Sequence, residues 1–339
     1  MRLLVALRED DDQCRMIVRE SLERASMRIL ARRYGHTKKT IQHIIHRLTS
    51  ELPDSSAIAA KFLPHWSGVL VFDGKVVRVY DELSEHLNQG AFTEQEWRWR
   101  HKMRWLCGVD HGTGDLPHYQ LAEEEGKIDL VMYFQGLKAL QYPLTAVVAD
   151  GNPSIPEAVR FVFGEQIIFQ RCTRHFIEDL KRLLPADDQR VAERTRLEEL
   201  ILCIQRVIEA DSLEDAGQHL DMLRRSYRSC RSPLKRQLLA MFEQAKPQLT
   251  AHLLYPELHL PHTSNDAENL FRQLMLRLRT IGRFAHQRYA KDYLNAWALW
   301  RRFTPFSDCR GSRKNRNRKA PLELAGCEIS NIDFLKLTK

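Results

Sequence analysis

The sequence predicts a mixed α/β fold (an α+β mixed sheet) preceded by a helical domain, and three observations carry that prediction. Helical periodicity over the first fifty residues gives way to strand-like runs from Trp66. Short apolar strands then alternate with amphipathic helices. From Cys172 to about residue 255 the apolar patterns are helical. At 339 residues, with 43% hydrophobic and 28% charged side chains, the chain has material for two or three domains and is not of a disordered composition.

The front end, residues 1–52, reads as helices: "QCRMIVRESLERA", then "SMRILARRYGHTKKTIQHIIHRL". In the second stretch a small residue (Ala31), a glycine (Gly35) and a branched apolar residue (Ile41) have the spacing of a helix-turn-helix, where two helices cross at a tight turn. Its second helix is expected to start at Thr37 and to turn Lys38, Lys39, Gln42, His43 and His46 outward, toward DNA. Residues 53–65 read as a linker.

From Trp66, "SGVLVFDGKVVRVY" predicts a strand, a turn at Asp73-Gly74 and a second strand, and "MRWLCGVDHGT" a third. "GKIDLVMYFQGLKALQYP" has helical spacing, "LTAVVAD" is a short buried strand ending in an acid, "PSIPEAVRFVF" is helical and "EQIIFQRC" is the fifth strand. This succession is ribonuclease H-like, interrupted by an all-helical insertion over 176–255. Residues 66–175 form the first part of that core. Residues 256–306 return to it with a long helix, "SNDAENLFRQLMLRLRTIGRF". Residues 307–339 are a basic tail, with 307–319 expected to be flexible.

The formal charge is +8, and its distribution is uneven. Residues 13–50 carry net +7, residues 269–303 another +7 and "RGSRKNRNRK" (310–319) net +6, which leaves the remainder at −12. A basic periphery around an acidic middle suits DNA held at the edges and metal-binding carboxylates at the centre. No stretch approaches the roughly 18 apolar residues of a membrane span, and "MRLLVALREDDD" turns acidic too soon for a signal peptide. Seven scattered cysteines (14, 107, 172, 203, 230, 309, 327) fit a reducing compartment better than a disulfide framework, so a cytoplasmic, nucleoid-associated protein is expected.

Two strands end in an aspartate, Asp73 and Asp150. In the ribonuclease H-like order the first and fourth strands are neighbours, which brings those carboxylates together; Asp81 and Asp110 are alternatives for the first acid. Glu268 is the third. With Asn265 as N-cap it falls at the third helical position, the place of the acid in a capping box, and it flanks the apolar stripe Ala267, Leu270, Phe271, Leu274, Leu278, Ile281. Arg272, Arg279 and Arg283 line the adjoining face. Three clustered carboxylates repel one another unless a cation neutralises them, and hard oxygen ligands suit Mg²⁺ or Mn²⁺. Two such ions could activate a water or a 3′-hydroxyl for phosphoryl transfer. Cys172 and His175 ("RCTRH") have zinc-like spacing without a second pair, which favours a packing or hydrogen-bonding role near Asp150.

"VVADGNPSIPEAVRFVF", "RCTRHFIEDLKRLL" and "HTSNDAENLFRQLMLRLRTIGRF" resemble the DDE transposases of prokaryotic insertion sequences, in the broad Mutator-like superfamily. The resemblance runs from about Gly68 to Phe303. It implies a catalytic triad of Asp73, Asp150 and Glu268 that binds Mg²⁺ or Mn²⁺. It also implies cleavage at transposon ends and strand transfer into target DNA, performed by a homo-oligomer that is at least a dimer on double-stranded DNA. The family often carries a lysine shortly after the glutamate; here "LMLRLR" offers Arg277 as its DNA-contacting substitute. Two other readings stay open: a transposase-derived DNA-binding regulator, and a metal-dependent nuclease.

Overall fold

The computed structural model describes residues 11–79, 102–185, 191–227 and 232–338. Asp81 and Cys230 lie outside them. Four helices come first, α1 (Asp11–Leu22), α2 (Met27–Tyr34), α3 (Lys38–Glu51) and α4 (Ser55–Phe62). Strands and helices then alternate: β1 (Val69–Arg78), β2 (Lys102–Asp110), β3 (Tyr119–Ala122), α5 (Lys127–Ala139), β4 (Ala146–Ala149), α6 (Ser154–Phe163) and β5 (Ile168–Arg171). Helices follow: α7 (Thr173–Arg182), α8 (Val191–Ile208), α9 (Leu213–Tyr227), α10 (Pro233–Leu249), α11 (Ala251–Leu254), α12 (Asn265–Ile281), α13 (Gln287–Phe303) and α14 (Pro321–Leu324). The mixed α/β class is as expected: the five strands form one sheet in the order β3-β2-β1-β4-β5. No helix among the described residues is long and apolar enough to cross a membrane.

The chain divides into two compact units, Met1–Ser67 with Gly74–Tyr142 and Asp266–Lys339, and Gly68–Asp73 with Pro143–Asn265. In the first, the expected bihelical turn forms. Thr37 caps α3 by accepting the Thr40 amide, and Gly35 closes α2 at φ 69°, a left-handed conformation that glycine adopts without steric cost. Ile41, Ile44 and Ile45 of α3 are buried, and α3 packs on α1, α2 and α13. Beyond it, the stretch read as a linker holds α4. Asp54 caps that helix by accepting the Ser56 and Ala57 amides, and Ile58 is buried.

The turn expected at Asp73-Gly74 is absent. β1 runs straight through both residues, and Gly74 does not have the positive φ that a two-residue hairpin demands. Its lack of a side chain serves a close approach instead, because a Cβ there would stand 2.6 Å from the Glu125 carboxylate. β3, which no periodicity in the sequence announces, pairs antiparallel with β2 from Arg104↔Ala122 to Cys107↔Tyr119. Four residues of mixed polarity are too few to show a period.

The segment expected to be a flexible tail is packed. Phe306 N donates to Lys319 O (3.0 Å), Arg318 N to Phe306 O (2.8 Å), and Gly311–Arg316 forms a 3₁₀ helix; farther on, Leu322, Phe334 and Leu335 are buried. Two buried arrangements fix the same unit. Arg302, fully buried, forks onto Asp115 with two 2.8 Å hydrogen bonds, and Trp66 Nε1 donates to the same carboxylate. Asp110 accepts from Ser67 N, Ser67 Oγ, Thr113 N, Thr113 Oγ1 and Tyr142 Oη at 2.7–2.9 Å.

The second unit centres on three parallel strand segments. The Val69–Val71 stretch of β1 pairs with β4, and β4 pairs with β5. "AVVA", the strand between β1 and β5, is buried throughout, which explains why it reads as an uninterrupted apolar run. Helices α7 to α11 make a core of their own, with Leu197, Leu200, Ile201, Ile204, Leu238 and Phe242 at its centre, so the expected all-helical segment is present.

Candidate active site

The second unit brings two of the predicted acids to one level of the sheet. β1 and β4 pair in parallel with Val69↔Ala146, Leu70↔Val147 and Val71↔Val148. Carried two residues further, that register sets Asp73 opposite Asp150, and directly opposed residues project from the same face. Both are half-buried. Asp150 follows the last residue of β4, and its Oδ1 accepts the Asn152 amide (3.0 Å), a local turn that fixes the carboxylate at the strand end. Asn152 Oδ1 in turn accepts the Ser154 amide at the start of α6 (3.0 Å).

Asp110, the described alternative for the first acid, has a different task. With five donors on its two oxygens and no exposure, it is a structural carboxylate tying the Ser67 and Thr113 backbones to Tyr142. Burial, with Asp110 alongside, pushes the Tyr142 hydroxyl well above its ordinary pKa, so it remains a proton donor to that carboxylate.

Also in the second unit, Cys172 is buried at the entrance to α7 and accepts hydrogen bonds from the amide (3.4 Å) and hydroxyl (3.3 Å) of Ser264. Burial alone would raise this thiol's pKa. Hydrogen bonds from His175 and Ser264 outweigh it and leave the pKa below the ordinary value. Cys172 and His175 therefore engage each other through a hydrogen bond. Thr173 N donates to His262 O (2.9 Å), so the start of α7 and the chain just before α12 are joined twice over.

In the first unit, Glu268 is half-buried in the first turn of α12. The helix begins at Asn265, which makes Glu268 its fourth residue. The apolar stripe packs as expected, with Phe271 meeting Trp105 of β2 edge-on at 5.8 Å; Ile281, at its end, is only half-buried. Asp266 lies in the same first turn. It takes His111 Nδ1 at 2.8 Å and a two-point hydrogen bond from Arg313. Burial would raise its pKa, and the His111 and Arg313 hydrogen bonds hold it below the usual value. The partners stand 155 and 47 residues away, and no local pattern announces them.

Of the residues assigned to DNA, Lys38, Lys39 and His43 are exposed on α3, as are Arg272 and Arg279 on α12 and Arg283 beyond it; Gln42 is half-buried. Two assignments are corrected. Arg277 is 1% exposed. Its guanidinium donates to Tyr293 Oη (2.5 Å), Ser21 Oγ (3.1 Å) and Thr280 Oγ1, which knits α12 to α13 and α1. An arginine with its donors so engaged in the core is a structural post and does not face DNA. His46 stacks on Tyr289 of α13 at 3.7 Å and contacts Gln42. Burial, with His43 and His286 nearby, lowers its pKa to about 4, so near neutrality it is an uncharged packing residue.

Compared with family models and with curated proteins, the chain matches none.

Proposed function

We propose that the chain is a DDE-type transposase that cleaves DNA at transposon ends and joins the freed strand to target DNA. The observation that carries this reading is the register of β1 and β4, which, extended two residues past Val71↔Val148, sets Asp73, within β1, opposite Asp150, just past the end of β4. Ligands of open α/β sheets bind beyond the carboxyl ends of such strands. The strand order β3-β2-β1-β4-β5, with β3 antiparallel and β4 and β5 parallel to their neighbours, supports a ribonuclease H-like core.

The donor set fits a hard divalent cation: two aspartates, one of them aimed by its own turn. In this reading Asp73 and Asp150 would hold Mg²⁺ or Mn²⁺, and Glu268 is proposed as the third acid of the catalytic set. When bound, two such ions lower the barrier by activating the attacking oxygen and stabilising the leaving one. The protein's own share is positioning. The sheet register fixes the spacing of the aspartates, and the exposed Lys38, Lys39 and His43 of α3 and Arg272, Arg279 and Arg283 bear on DNA phosphates. The active assembly is a homo-oligomer, at least a dimer, because two transposon ends must be joined.

The test is cleavage of a supercoiled plasmid carrying the DNA that flanks the gene, with Mg²⁺ or Mn²⁺, by wild type and Glu268→Gln. The wild type is expected to give site-specific nicks and strand-transfer products. Glu268→Gln, which keeps the side chain's shape but removes its charge, is expected to fold normally and to cut at least about 100-fold more slowly. Near-normal cleavage by the folded variant removes Glu268 from the site. Nicks without joined products would favour a nuclease, and specific binding without cuts under either metal would favour a DNA-binding regulator.

A further inference from the structure

The decapeptide "RGSRKNRNRK" (310–319) has six basic residues and no acid, yet it is folded onto the first unit, and its cations divide into two groups. Arg313 and Arg316 face inward. Arg313 grips both oxygens of Asp266, and Arg316 donates to the backbone oxygen of His111 (2.7 Å), the residue whose ring also holds Asp266. Arg310, Lys314, Arg318 and Lys319 are exposed. The segment between them is closed on itself: Asn317 Oδ1 accepts the Cys309 amide (2.8 Å), Asn317 Nδ2 donates to the Cys309 oxygen (3.0 Å), and Phe306 exchanges backbone hydrogen bonds with Arg318 and Lys319. Arg318 holds φ 67°, uncommon for a side-chain-bearing residue. These bonds hold it there.

We infer that residues 310–319 are a preformed clamp for the phosphate backbone of duplex DNA, fastened by Arg313 and Arg316 at the first turn of α12, with Arg310, Lys314, Arg318 and Lys319 as its contacts. Four cations in ten residues are a dense positive surface for a polyanion, and each phosphate neutralised releases condensed counterions. An acidic polypeptide also carries charge, but a phosphate backbone offers it at the regular close spacing that a short rigid array can match. Holding the array in place before binding spares the ordering cost that a loose basic tail meets. The anchor residue Asp266 is two positions from Glu268, so the clamp delivers a backbone to the helix that the transposase reading makes catalytic. The choice of DNA rests on that reading.

The test is metal-free binding of a fluorescein-labelled 30-base-pair duplex to the full chain over 50–300 mM KCl, for wild type and for Arg310→Gln/Lys314→Gln/Lys319→Gln. Loss of three contacts is expected to weaken binding at least about tenfold and to lower the slope of log K against log salt by about 2.7. Unchanged circular dichroism and thermal midpoint certify the fold, and Lys314→Gln alone is expected to lower the slope by about 0.9. An unchanged slope in the folded triple variant overturns the clamp, as does a wild type that binds an acidic polypeptide in preference to the duplex. Because no metal is present, this result is separable from the chemistry: a wild type that nicks DNA while the triple variant keeps its slope leaves the transposase reading standing and removes only the clamp.

Discussion

Asp150→Asn is expected to abolish metal-dependent nicking, with a loss on the order of 10³-fold or more, while binding of duplex DNA without metal stays within about twofold of wild type. The size follows from the worth of a bound ion in phosphoryl transfer, several kcal/mol, at 1.36 kcal/mol per decade of rate. The Asn side chain keeps an oxygen to accept the Asn152 amide, so the turn that ends β4 survives and the loss reads out charge. Asp73→Asn is expected to match it, because the two residues stand at one level of adjacent strands. Asp110→Asn should behave differently, lowering stability, since its carboxylate is spent on five structural hydrogen bonds. Cleavage surviving in folded Asp150→Asn would be the adverse result.

The second large effect falls on stability. Asp115→Asn leaves the fully buried guanidinium of Arg302 facing a neutral amide, and breaking a buried pair from one side costs about 3–5 kcal/mol. Urea unfolding of the first unit should report it as a shifted midpoint. Asp115→Asn combined with Arg302→Met is expected to regain part of the loss, because the uncompensated charge is then gone. A double variant less stable than Asp115→Asn would mean that the pair contributes by packing alone.

Much of the fold was legible because its signals are local. Alternation and apolar runs located β1, β2, β4 and β5; the small residue, glycine and isoleucine spacing located the α2–α3 turn; uninterrupted amphipathic periodicity located α7 to α10. What misled were residues whose local signal has two meanings. Asp73-Gly74 is a turn dipeptide, but Gly74 is there for the approach of Glu125. "RGSRKNRNRK" has the composition of a solvated tail, yet Asp266 and His111, distant in sequence, tie it down. Arg277 and His46 have side chains of surface type, and only the packing of α12 and α3 against α13 shows that Arg277 is interior and His46 half-buried in a ring stack. The adjacency of β1 and β4 was legible as an expectation of strand order. Its register, 77 residues apart at each of three pairs, needed the structure.

Mn²⁺ binding to Asp73 and Asp150 is the most direct test of this account. Titrations by electron paramagnetic resonance or calorimetry would compare wild type with Asp73→Asn and with Asp150→Asn, each checked for native circular dichroism. The prediction is Mn²⁺ binding in the wild type that weakens at least about tenfold in both variants alike. Wild-type affinity retained in either variant would contradict a shared metal site, and with it the proposal that these two carboxylates carry the chemistry.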